Sequence, residues 1–179
     1  MDSLIFNVSQ LLKEPTGATR QALIEADLHQ LTPDLVADWP DAPATISGPV
    51  RLMRSPDGVL VQGRLEAELE LPCSRCLEPV PVTFEVRLEE VFAPTIDIST
   101  GRSVTPEEED RALWIDGHHQ LDVSEVLRQN VLLALPVQVL CRTDCRGLCP
   151  QCGQDLNRGN CDCKPEPDPR WSALVDLLG

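Results

Sequence analysis

The chain has 179 residues, of which 42% are apolar and eight are cysteine, and its formal net charge is −14. That is enough apolar material for one ordinary domain with a small appendage. A pI near 4.5 disfavours a general phosphate-binding surface and favours a basic partner.

The longest apolar run, Val131 to Leu135, is far below the roughly 20 residues of a helical membrane span, so no membrane is expected among the partners. No charged segment leads into an apolar one at the N-terminus, which argues for a reducing, cytoplasmic setting over a secretory one.

In chain order, LIFNVS from Leu4 reads as an opening strand, EPTG at 14–17 as a turn, and Ala22 to Leu28 as a second strand. Thr32-Pro33-Asp34 resembles a helix start that Trp39-Pro40 stops within about two turns. From Ala44 to Phe92 the pattern has period two. Val50 and Leu52, then Val59 and Val61, flank the hairpin signal SPDG at 55–58. Leu65, Ala67, Leu69 and Leu71 alternate with Glu66, Glu68 and Glu70, so one face enters a core and three carboxylates face solvent. Those glutamates read as a solvated face and not as an acid–base pair, because nothing gives them distinct environments.

Cys73 and Cys76 cap the hairpin between this strand and the next alternating run, Val80 to Leu88. The flanking Pro72 and Pro79 argue against a helix at Cys73, and so against a redox-active pair. Pro94 to Asp110 is polar and acidic and reads as a mobile loop before a short strand at Ala112 to Ile115. His118 and His119 follow Gly117 in a turn and read as exposed loop histidines before metal ligands. Asp122 or Ser124 then caps a helix over 122–134 that Pro136 ends.

Residues 141–163 read CRTDCRGLCPQCGQDLNRGNCDC and hold six of the eight cysteines. CPQCG at 149–153 has the form of a zinc knuckle, and four thiolates about one Zn²⁺ close a tetrahedral site with no position open for catalysis. Disulfides suit short secreted chains, and a thioredoxin-like pair needs a helix N-terminus behind the first Cys. Cys149, Cys152, Cys161 and Cys163 can form one site, leaving Cys73, Cys76, Cys141 and Cys145 as a second. A single site of Cys145, Cys149, Cys152 and Cys161, with Cys73 and Cys76 as free thiols, is the alternative. One or two structural Zn²⁺ are therefore expected.

Residues 1–140 carry ten Lys/Arg against twenty-three Asp/Glu, whereas 141–164 carry four against three. Arg142, Arg146, Arg158 and Lys164 would partly neutralise the metal clusters or, as a sharper reading, touch RNA. Lys164 to Pro169 reads as a stiff linker. A terminal helix capped by Asp168 carries the apolar stripe Trp171, Leu174, Val175 and Leu178. The expected organisation is an antiparallel β body over 1–140 with its helix, a zinc module over 141–164, and the linker and helix over 165–179. The fold class is α+β, with a curved or barrel-like antiparallel sheet.

The hairpin CSRCLEPV, the helix LDVSEVLRQNVLLALPVQVLC, the segment DCRGLCPQCGQDLNRGNCDC and the ending DPRWSALVDLL together resemble the YceD-like large ribosomal RNA subunit accumulation protein family, over roughly residues 60–179. The first third agrees only in general layout. The resemblance implies a bacterial or plastid cytoplasmic-type protein needed for accumulation of large-subunit ribosomal RNA, commonly encoded beside a large-subunit ribosomal protein. It supplies no catalytic residues and no small-molecule substrate. The expected function is a non-enzymatic assembly factor that binds precursor ribosomal RNA or a basic ribosomal protein. The alternatives are a thiol-disulfide oxidoreductase and a zinc-dependent protein-interaction adaptor.

Overall fold

A computed structural model of the chain describes residues 4–37, 40–106 and 110–163. The expectations that rest on Trp39, on Glu107 to Glu109, on Lys164 and on the terminal stripe of Trp171, Leu174, Val175 and Leu178 lie outside those residues.

Among the described residues seven strands form one sheet: β1 (Ile5–Asn7), β2 (Thr19–Asp27), β3 (Thr45–Ser55), β4 (Gly58–Pro72), β5 (Pro79–Pro94), β6 (Trp114–Ile115) and β7 (Gln120–Asp122). Their order is β1-β7-β6-β5-β4-β3-β2, curled into a mostly antiparallel half-barrel. Two single-turn helices, α1 (Leu28–Leu31) and α2 (Pro33–Val36), and the longer α3 (Ser124–Ala134) complete an α+β fold. β5 and β6 run parallel, but only through Ala93 with Trp114 and Pro94 with Ile115.

Alternation explains the long strands. On β4, Leu65, Ala67, Leu69 and Leu71 are buried while Glu66 and Glu68 are exposed. Burying each such leucine stabilises the fold by about 1.5–3 kcal/mol. The SPDG turn closes β3 onto β4 with Ser55 opposite Gly58. The polar stretch after β5 contains a turn built by Asp97, whose carboxylate accepts the N–H groups of Ser99 at 2.9 Å and Thr100 at 2.7 Å. Those bonds and the two hydroxyls hold the Asp97 carboxyl down to about 2, the Ser99 hydroxyl contributing most.

α3 begins at Ser124, since Asp122 belongs to β7 and its carboxylate accepts the Ser124 N–H at 2.8 Å. Val126, Leu127 and Val131 are its buried stripe. In its first turn Glu125 takes a bidentate bond from Arg128, at 2.8 and 2.7 Å.

Among the described residues, contacts make two compact units, residues 4–71 with 81–137, and residues 72–80 with 138–163. The second unit holds the tip of the β4–β5 hairpin and the cysteine-rich stretch, and therefore all eight cysteines.

Candidate metal centre

Two CxxC turns in the second unit share one backbone form. After Cys149 and Cys152 the chain turns at Gly153, with φ +73°, and the Gly153 N–H donates to the Cys149 carbonyl at 2.9 Å. After Cys73 and Cys76 it turns at Leu77, with φ +63°, and the Leu77 N–H donates to the Cys73 carbonyl at 3.0 Å. Such a turn aims both thiols to one side. Neither pair opens an α-helix among the described residues, so neither has the helix N-terminus of a thioredoxin-like pair.

The structure brings Cys73, Cys76, Cys141 and Cys145 together, and separately Cys149, Cys152, Cys161 and Cys163, with the sulfurs of each set within 4.8 Å of one another. Cys145 thus stands with the hairpin cysteines and not with Cys149, Cys152 and Cys161. In the first set the Cys73 and Cys145 sulfurs lie 3.8 Å apart and those of Cys76 and Cys141 3.5 Å. A zinc tetrathiolate with bonds of about 2.3 Å has sulfur–sulfur edges of about 3.8 Å, whereas a disulfide brings its sulfurs to about 2.05 Å. All eight cysteines are free. The donor chemistry, four sulfurs gathered within 4.8 Å of one another in each set, therefore fits a structural metal ion of the zinc kind.

The two sets differ in cover. Cys73, Cys76 and Cys145 are buried, and Val80, Leu140 and Leu148 pack against them. In the second set only Cys149 is buried, while Cys152 and Cys163 are exposed. Backbone donors tune both. The Cys141 N–H, 3.4 Å from the Cys73 sulfur, lowers the Cys73 thiol to about 6 against the opposing effect of burial. The N–H groups of Cys152 and Gln151 bring Cys149 to about 6. Cys141 is pushed up to about 12, first by its hydrogen bond with the Cys76 sulfur and then by burial. Each set thus offers at least one sulfur that ionises easily, and the protons still held by the others must leave when a metal binds, so loading weakens as pH falls.

Leu77 carries a cost that Gly153 avoids. A leucine in the left-handed region is strained by roughly 1–2 kcal/mol, and the residue is 61% exposed, so packing returns little. Leu77→Gly is expected to stabilise the second unit by about 1 kcal/mol, read as slower amide exchange at residues 73–78. Faster exchange in that variant would show that the Leu77 side chain has a packing role.

The remaining candidates give no ligand atom to either set among the described residues. His118 and His119 join no cluster of three or more metal-ligating side chains among the described residues. Arg142 pairs with Asp144 at 3.6 Å, and Arg158 pairs with Glu78 and, at 3.2 Å, with Asp155. Arg146 reaches Asn160 at 2.9 Å. Two residues carried no signal in the sequence. Arg75, inside the first CxxC, donates to the Cys145 carbonyl at 2.7 Å, and the Asn157 amide donates to the Cys145 sulfur at 3.5 Å. Burial pushes the Cys145 thiol up, but the Asn157 amide and the Gly147 N–H outweigh it and leave it lowered.

A family model described as large ribosomal RNA subunit accumulation protein YceD matches residues 61–178, a span that contains both cysteine sets. The chain is 37% identical over 139 residues to an uncharacterised protein of Mycobacterium tuberculosis, covering 78% of this chain and 65% of that protein. It is 33% identical over 118 residues to the Bacillus subtilis protein YlbN, covering 64% and 63%. It is 27% identical over 165 residues to the Arabidopsis thaliana protein named large ribosomal RNA subunit accumulation protein YCED homolog 1, chloroplastic, covering 79% and 51%. The chain spans just under two thirds, 65%, of the length of its Mycobacterium tuberculosis relative. No solved structure matches.

Proposed function

The chain belongs to the YceD family of large ribosomal RNA subunit accumulation proteins, and from that membership we propose a non-enzymatic factor in large ribosomal subunit biogenesis, held in shape by structural zinc and acting in the cytoplasm. The observation that carries this reading is that the family match runs from β4 through all eight cysteines. The family is described as an accumulation factor and not as an enzyme. Zinc, where bound, supplies cross-linking of chain segments and no reaction chemistry, because four thiolates leave no open position. Among the described residues no helix is long and apolar enough to cross a membrane.

Charge selects the partner class. Residues 1–140 hold ten basic against twenty-three acidic side chains. In the second unit, residues 72–80 and 138–163 hold four of each, before each tetrathiolate adds about −2. That favours a basic ribosomal protein over direct RNA binding by the sheet, and confines any contact with precursor RNA to Arg142, Arg146, Arg158 and Lys164.

In-cell crosslinking with mass spectrometry and RNA sequencing tests this. Crosslinks should map mainly to a basic large-subunit protein on the acidic body, and Arg142→Glu with Arg146→Glu should reduce any RNA crosslinking at least about tenfold. RNA crosslinks on the outer sheet face, untouched by those substitutions, would reverse the assignment. Disulfide reductase activity in the metal-loaded chain would instead restore the oxidoreductase reading, which the shared turn geometry of the two CxxC pairs disfavours.

A further inference from the structure

We propose that Asn157 couples the two cysteine sets, so that metal held by Cys149, Cys152, Cys161 and Cys163 tightens the grip of Cys73, Cys76, Cys141 and Cys145 on theirs. The inference rests on the metal reading above. Asn157 sits in the eight-residue loop between Cys152 and Cys161, two members of the second set, yet its side chain serves the first. Nδ2 donates to the Cys145 sulfur at 3.5 Å and to Asp155 Oδ1 at 2.8 Å. Oδ1 accepts the Arg146 N–H at 2.8 Å. Both amide protons and the amide oxygen are therefore engaged, which fixes the direction in which the amide points. The same loop is tied down twice more, by the Leu156 N–H on the Gly147 carbonyl at 2.9 Å and by Arg158 on Glu78, two residues beyond Cys76.

The physical link is loop closure. A metal on Cys152 and Cys161 fixes both ends of the loop and removes much of its freedom, so Asn157 is already in place against Cys145 when the first set binds its ion. An N–H donor to a metal-bound sulfur is the kind of outer contact whose removal weakens metal affinity by about 10–100-fold. Coupling of binding free energies is reciprocal, so filling the first set also favours filling the second. The second set is the more exposed of the two, which makes it the one a chelator reaches first and sets the order of loss.

The test is chelator competition on the zinc-loaded full chain, reading how tightly the more firmly held zinc is retained. Cys149→Ser with Cys152→Ser removes the second metal, and the zinc left on the first set should be held about tenfold less tightly. Asn157→Asp keeps the acceptor for the Arg146 N–H but puts a carboxylate oxygen where the donor was, and with both sets intact it should produce a similar loss. Combining the three substitutions should weaken the first set no further than either change alone. Unchanged retention in the Cys149→Ser, Cys152→Ser chain, or two losses that simply multiply to about a hundredfold, overturns the coupling. A chain binding two zinc ions that leave at the same chelator concentrations with Asn157→Asp as without it does the same. A wild-type chain that takes up no zinc overturns the metal reading and this inference together.

Discussion

Excess chelator should remove about two zinc ions per chain and unfold residues 72–80 and 138–163, while the strands of the first unit stay protected from amide exchange. The second unit has little else to hold it. Its buried cluster consists of Cys73, Cys76 and Cys145 with partly buried Val80, Leu140 and Leu148, and among the described residues it contains no α-helix. Structural zinc contributes on the order of 10–16 kcal/mol in small tetrahedral modules at neutral pH, far more than that cluster can replace. The first unit has its own core, with Ile24, Ile46, Leu65, Leu88, Phe92 and Leu127 almost fully buried, so its protection should be independent of metal. Persistent protection at residues 138–163 after complete removal of metal would end the idea that metal binding and folding are linked here.

The same measurement separates the sets. Cys73→Ser with Cys76→Ser should lower the metal content from about two to about one, since those sulfurs stand with Cys141 and Cys145 and apart from the other four. An unchanged content would detach the hairpin from metal binding and leave its thiols to another role.

Much of the sheet is legible in the residues because burial enforces period two. The alternation of Leu65 to Leu71 and the turn at Ser55–Gly58 point to β3 and β4 without any structure. The short strand expected at Ala112 to Ile115 is present as β6, Trp114–Ile115, behind a 3-10 turn at Arg111–Leu113. β7 is not legible in this way: it is three residues long, too short for a period, and exists because Ile5 to Asn7, more than a hundred residues away, pairs with it. The cysteine spacing marks where sulfurs are concentrated, because only a few chemistries need thiols so densely placed. It is silent on Leu77, whose left-handed backbone contradicts its residue type, and on Arg75 and Asn157, whose partners are a distant carbonyl and a distant sulfur. Such contacts are set by tertiary proximity and leave no pattern in the chain.

Gly58→Ala should cost the first unit at least about 3 kcal/mol, at the upper end for overpacking. The reason is a close approach of backbone to backbone. A Cβ built on Gly58 falls 2.0 Å from the Phe92 carbonyl oxygen and 2.9 Å from its carbon, both main-chain atoms of β5 that cannot rotate away as a side-chain tip would. Phe92 is itself fully buried, so moving its carbonyl disturbs the packing of its ring. On the other side, Gly58 is paired with Ser55 across the turn, and its carbonyl accepts the Arg54 guanidinium at 2.9 Å, which ties it in place from β3. With neither strand free to yield, β4 would have to begin later or separate from β5 at that end. For a chain of this size the loss corresponds to a fall in Tm of roughly 6–12 °C. Gly101→Ala is the control. Its φ of +69° strains an alanine, but no atom lies within 4 Å of the added Cβ, so only about 1 kcal/mol should be lost. If thermal unfolding showed the two variants equally stable, the contact between Gly58 and Phe92 would not be the constraint that sets where β4 starts.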